Sequence, residues 1–247
     1  MKSKNHHLFT VGNAKTVKSQ KVGYLTLILH LMPSTANARK IDLCPFASNA
    51  CRALCLVNSG RSEIFRTINK ARLRKTEEFL SDREGFTLKL IQEIKHYQKV
   101  ALRKGLKLAV RLNGTSDISW YKIKYAWMNL FEIFPKVQFY DYTKNPFIAY
   151  ASEEIKNYDI TFSWSGNNAS NCHEFLGYGF NVAVPFAGLK RTEEVPKEYL
   201  RKEVIDGDKT DLRFLDKKGR IVGLRVKGSE QKKAESNFLV KVERKAS

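Results

Sequence analysis

The chain has few cysteines, histidines and prolines: four, five and six among 247 residues. So few cysteines exclude a disulfide-stapled scaffold, and without a second close pair the usual two-pair zinc spacing is missing. No apolar run reaches the roughly 18 residues that a membrane-spanning helix needs. The best candidate, Val22 to Met32, is short and contains His30. The opening MKSKNHHLF lacks the pattern of a secretory signal, so the expectation is a soluble, cytoplasmic protein without membrane contact. Glycine loops of the phosphate-binding kinds and the G-x-S-x-G elbow are also absent. Acidic residues are outnumbered, 25 Asp and Glu against 44 Lys and Arg, for a formal net charge of +19. That excess favours a polyanionic partner, nucleic acid first.

What is present is a core-forming chain, 43 % hydrophobic and 11 % aromatic. VGYLTLILHL reads as a buried strand, followed by a long irregular loop. Helices are expected over residues 62–81 and 86–104, the second stopped by Gly105 where a left-handed cap is usual. LKLAVRLNG reads as a strand and residues 120–134 as a helix. VQFYDYT is a strand, residues 145–157 a helix that accepts Pro146 in its first turn, DITFSWS a strand, residues 169–178 a helix and FNVAVPF a strand. Repeated strand–helix alternation with continuous apolar strands implies a parallel sheet with helical crossovers. Doubly wound and complete or partial barrel arrangements are both open at this level. After Lys190 the turns Asp206-Gly207-Asp208 and Lys217-Lys218-Gly219 suggest a β-hairpin-like extension. The division expected is a basic arm over 1–20, an α/β domain over 21–190, and a C-terminal β extension with a basic tail over 191–247.

Three of the four cysteines lie within twelve residues: Cys44, Cys51 and Cys55, spaced C-x6-C-x3-C in a loop rich in Pro, Ser and Asn. Thiolates are soft ligands that suit iron–sulfur clusters, zinc or Cu(I). Three ligands on one short loop can hold a [4Fe-4S] cluster with its fourth iron open to another side chain or a small molecule; zinc is the alternative. Arg52, between the thiols, offers charge compensation. Cys172 follows a later strand, and in parallel sheets the loops at the carboxyl ends of strands share one end of the molecule. Cys172 is therefore a candidate fourth ligand, weighed equally against a packing role, and the adjacent His173 is more often a surface group.

The same strand ends break into polar residues: Asn113, Thr115, Ser116 and Asp117 after the second strand; Tyr142, Thr143 and Lys144 at the end of the third; Ser163, Ser165 and Asn167 after the fourth. Together they suggest a polar pocket beside the cysteines, although Ser116 or Asp117 could simply cap a helix starting near Trp120. Arg61, Arg66, Lys70, Arg72 and Lys75 follow the cysteine loop, mostly on one helix. They form a candidate nucleic-acid-binding face, or else offset the charge of a cluster. Asp206, Asp208 and Asp211 could hold a hard cation, but a turn with side-chain hydrogen bonds explains them better.

CPFASNACRALC, VRLNGTSDISW, FYDYTKNP, NVAVPF and DGDKTDLRFLDKKGRIVGLRVKG occur in this order. In this the chain resembles the bacteriophage gene product 88 domain family from about Val22 to Gly228. The resemblance implies a phage or prophage origin and no settled activity. The architecture is more distantly similar to that of the radical S-adenosylmethionine enzymes, which carry C-x3-C-x2-C where this chain has C-x6-C-x3-C. That likeness implies a partial (β/α) barrel and cluster ligation by Cys44, Cys51 and Cys55; it does not extend to the chemistry. Three functions follow as expectations: an iron–sulfur protein contacting nucleic acid, an enzyme using an open iron for S-adenosylmethionine or another small molecule, or a metal-stabilised module that binds a host protein.

Overall fold

A computed structural model describes residues 7–12, 14–55, 57, 66–190, 192–226 and 236–242. Its centre is a large, mostly parallel sheet. The strands are β1 (Phe9–Thr10), β2 (Tyr24–Leu29), β3 (Lys107–Arg111), β6 (Gln138–Thr143), β7 (Tyr158–Ser163), β8 (Asn181–Ala187), β9 (Glu198–Tyr199), β10 (Lys202–Asp206), β11 (Ile221–Arg225) and β12 (Val240–Lys241). A separate small hairpin contains β4 (Lys124–Tyr125) and β5 (Met128–Asn129). The helices are α1 (Ala14–Gln20), α2 (Asn49–Ala53), α3 (Arg66–Ser81), α4 (Arg83–Arg103), α5 (Leu130–Ile133), α6 (Pro146–Glu153) and α7 (Ala169–Gly177).

The spatial order is β1-β2-β3-β6-β7-β8-β11-β10-β9. Neighbours from β2 to β8 pair in parallel and in chain order. The two short outer strands, β1 and β9, pair antiparallel at opposite edges, and the sheet does not close.

Side-chain alternation along the strands sorts two layers. Leu25, Leu27, Leu29, Leu108, Val110 and Phe139 belong to the main core, together with Phe79, Phe86, Leu90 and Ile94 of α3 and α4, Phe131 of α5, Ile148 of α6 and Phe175 of α7. The intervening positions face the other way. Ala109 and Tyr140 meet Leu212 and Phe214 there, on the segment linking β10 to β11. That second layer is partly ionic. Arg111 pairs with Asp211 at 3.2 Å and lies 4.6 Å from the Tyr142 ring centroid, and Arg213, only 1 % exposed, pairs with Asp216.

Two sequence expectations are corrected. Residues 120–134 are not one helix. A 3-10 turn at Trp120–Lys122 leads into the β4–β5 hairpin, and α5 begins only after Asn129, whose side chain and that of Glu132 form a reciprocal capping box. Ala126 and Trp127 form the hairpin turn with φ of 47° and 73°, which stops helical propagation. Nor is the C-terminal region a hairpin. β10 and β11 pair in parallel, and β11 pairs with β8, so this region extends the main sheet. Parallel pairing needs a long crossover, and residues 207–220 provide it, with a 3-10 turn at Arg213–Leu215. At the other end of the chain, β1 joins the sheet beside β2. Among the described residues no helix is long and apolar enough to cross a membrane.

Candidate metal centre

The cysteine loop follows β2 and lies across the carboxyl ends of the strands. Its position is set by hydrogen bonds to neighbouring loops. Asp117 N–H donates to the Leu43 carbonyl at 2.8 Å, and Thr115 Oγ1 to the Leu31 carbonyl at 2.6 Å. Ser48 Oγ donates to the Ser165 carbonyl at 2.6 Å and accepts from Cys51 N–H, capping α2. Phe46 packs edge-on against Phe147 of α6. Arg52 ties the loop internally, pairing with Asp42 at 2.8 Å and donating to the Cys44 carbonyl at 3.1 Å.

Cys44, Cys51 and Cys55 are half-buried free thiols. Cys44 S–H donates to the Thr115 carbonyl at 3.8 Å. Burial pushes the Cys44 thiol up to about 12 and also raises that of Cys55. Cys172 is fully buried on the inner face of α7, within the main core. Its S–H donates to Asn168 Oδ1 at 3.6 Å, and burial lifts its thiol to about 12. Two distant segments nevertheless meet here. The Lys144 ammonium at the end of β6 acts on Cys44, Cys55 and Cys172 alike. Among the described residues, no group of three or more His, Cys, Asp and Glu side chains is placed to hold a metal ion. His173 is exposed.

Cations surround the thiols. Arg72 is the most informative because its guanidinium is buried, with 8 % of the residue exposed. Nη1 donates to Asn69 Oδ1 at 3.0 Å, Nε has no hydrogen-bond partner, and burial lowers its pKa. Ionised Cys55 would oppose that lowering. Among the described residues no carboxylate pairs with Arg72. A buried cation without a paired anion is costly.

The other helix residues divide differently from the expected solvated basic face. Arg66 and Lys70 are exposed. Lys75 is buried, donating to the Leu8 carbonyl at 2.9 Å, with its pKa lowered to about 8 by burial. Arg72 and Lys75 therefore do not face solvent, because α3 turns that side onto the N-terminal segment and the cysteine loop. Arg61 lies outside the described residues.

The polar strand-end residues come together, but mostly to hold one another. Asn113 Oδ1 accepts from Ser116 Oγ, Ile118 N–H and Trp120 Nε1. Asp117 caps no helix; it accepts from Thr143 Oγ1 at 2.5 Å and from Lys144 N–H at 3.0 Å. Ser165 Oγ donates to Asn167 Oδ1 at 2.8 Å, the Ser163 carbonyl accepts from Asn168, and Asn167 is exposed. Tyr142 points to the opposite layer beside Arg111. In the aspartate-rich turn, Asp206 and Asp208 pair with Arg225, and Asp208 N–H donates to Asp206 Oδ1.

The C-terminal segment closes over this end of the sheet. β12 pairs with Phe186 and Ala187 of β8. Trp164 Nε1 donates to the Asn237 carbonyl at 3.3 Å, and Lys144 lies 5.6 Å from the Phe238 ring centroid. Gly166 makes the approach possible: its φ is +90°, and a Cβ there would lie 2.7 Å from Asn237 C and Phe238 N. Gly166→Ala is therefore expected to displace residues 236–242 and cost on the order of 1–2 kcal/mol from the backbone alone, read as a lower denaturant midpoint and faster C-terminal proteolysis.

A family model described as gene product 88 matches residues 7–241, almost the whole described chain. The chain belongs to the gene product 88 family. This is a phage gene-product family, in keeping with the ordered motifs in the sequence. No curated protein and no solved structure matches the chain. The family spans β1 through β12, so the cysteine loop, Lys144 and the C-terminal strand all lie within the match. Sequence reasoning did not single out Lys144 as a shared neighbour of the thiols, nor the Arg111–Asp211 pair. An arginine inside the apolar run LAVRL was the available signal for the latter.

Proposed function

We propose that this gene product 88 protein is an iron–sulfur protein of the phage-infected host cytoplasm, with Cys44, Cys51 and Cys55 as the ligands of a [4Fe-4S] centre and nucleic acid as its partner. The observation that carries the reading is Arg72, a buried arginine whose Nε has no hydrogen-bond partner and which pairs with no carboxylate among the described residues. Thiolates bound to a metal centre would supply the missing negative charge, and Arg52 and Lys144 add compensation from two further sides. The chemistry of the donors supports it, three soft thiols on one short loop anchored to neighbouring loops by hydrogen bonds, although as placed the three side chains do not converge on one point. Such a cluster supplies electron transfer or, through an open iron, a site for a small molecule such as S-adenosylmethionine. Cys172 is the fourth cysteine, and the Lys144 charge lowers its thiol pKa as it lowers those of Cys44 and Cys55. In this reading the sheet is a partial (β/α) barrel, supported by chain-order pairing from β2 to β8 and by helices gathered on one core layer.

Protein isolated without oxygen is expected to be brown, absorb broadly in the blue, and contain iron with acid-labile sulfide. Stoichiometric zinc without iron would replace this reading with the structural-metal one, in which a host protein is the natural partner.

A further inference from the structure

The most exposed large apolar side chain among the described residues is Trp127, 91 % exposed at the tip of the β4–β5 hairpin. Its conformation makes the exposure informative. Ala126 and Trp127 occupy the two central turn positions with φ of 47° and 73°. Turns with positive φ at both centres favour asparagine and glycine, and neither residue here has that freedom. The hairpin would fold more readily with glycine at 127, yet it presents an indole to solvent. Burial does not account for it, because the indole is not buried.

The surroundings indicate what the indole meets. Residues 122–129 contain Lys122 and Lys124, both exposed, and no acidic residue. β4 packs against α4, which carries exposed Lys95, Lys99 and Arg103 at successive four-residue steps. Among the described residues none of these five cations is in an ion pair. An exposed flat aromatic beside unpaired cations, on a chain of net charge +19, matches a single-stranded polyanion whose bases have flat faces. The buried positions of Arg72 and Lys75 also remove half of the alternative basic face on α3.

We infer that the β4–β5 hairpin is a single-stranded nucleic-acid contact, with Trp127 stacking on a base and Lys122 and Lys124 neutralising adjacent phosphates. The inference rests on the nucleic-acid part of the function proposed above and is independent of the metal. The test uses the full-length protein with oligo(dT) and oligo(U), followed by intrinsic fluorescence and by anisotropy of the labelled strand; the stronger binder of the two identifies DNA or RNA. Trp127→Gly should weaken binding about tenfold or more. It should also leave thermal stability equal or higher, because the turn is relieved. Lys122→Gln with Lys124→Gln should reduce the salt dependence, by roughly 0.7 in the log–log slope for each phosphate no longer neutralised. Unchanged affinity in Trp127→Gly overturns the inference. So does tighter binding of duplex than of single strand, or no binding by the wild type at low salt, or dimerisation through Trp127. Iron content measured on the same preparations shows separately whether the metal reading stands.

Discussion

Serine at any one of positions 44, 51 or 55 is expected to abolish the iron and sulfide content of anaerobically isolated protein and bleach its visible absorption. A serine hydroxyl is a poor substitute for a thiolate on a soft metal centre, and three ligands leave no redundancy. Cys172→Ser should act differently. Its side chain is buried in the core and donates to Asn168, the N-cap residue of its own helix. As a fourth ligand its loss would make the centre oxygen-labile or change the spectrum; as a packing residue it leaves both unaltered. Arg72→Leu separates charge compensation from ligation. The substitution keeps an apolar fill but removes a buried cation, so in the proposed reading metal occupancy should fall several-fold while all three thiols remain. Iron content unchanged in Arg72→Leu would remove the observation on which the function rests. Wild-type content in a Cys44, Cys51 or Cys55 serine variant would remove that residue from the ligand set.

Asp141→Asn is expected to stabilise the protein above pH 7 by up to about 4 kcal/mol and to have little effect near pH 4. Asp141 lies fully buried in β6, where it accepts from Asn113 N–H at 2.7 Å and Tyr158 Oη at 3.1 Å. Burial raises its pKa to about 7, outweighing the opposing pull of Arg111 and those hydrogen bonds, with Asp117 adding to the rise. The folded state therefore holds its proton more tightly than the unfolded chain does. The sign follows: the contribution is fully present below about 4 and is lost as pH rises through about 7. Asparagine imitates the protonated carboxyl. Its Oδ1 can keep the Asn113 bond, and its Nδ2 can donate to Tyr158, whose hydroxyl can turn to accept. Chemical denaturation of both proteins between pH 4 and 9 tests this, and parallel stability curves would show that Asp141 does not titrate in that window.

Much of the sheet was legible because its evidence is local. The runs YLTLIL, KLAVR, QFYDYT, YDITFS and NVAVPFA are apolar, β-branched or aromatic and bounded by turn residues, and each is a strand. Asp82 and Asn145 cap helices where such residues commonly do. The segment WYKIKYAWMNLFEIF misled because its apolar spacing suits a helix. Asn129 and Glu132 hold the signal that a helix starts there, later than the periodicity suggests. The β-rich C-terminus was also misread: turn residues mark where a chain bends, not which strand it pairs with afterwards.

By itself the sequence determined the strands, most helices, the thiol spacing and the excess of positive charge. All of these depend on residues near one another along the chain, where steric preference and side-chain periodicity act directly. Only the tertiary structure decided that β11 lies between β8 and β10, that the cysteine loop is tied through Ser48 to the Ser165 carbonyl ahead of the Cys172 helix, and that Arg72 is buried while Trp127 is left in solvent. Helix α3 has charged residues on several sides, and its own pattern cannot say which of them the neighbouring segments will cover. That choice is made where surfaces from distant parts of the chain meet, by the burial of the apolar residues between them.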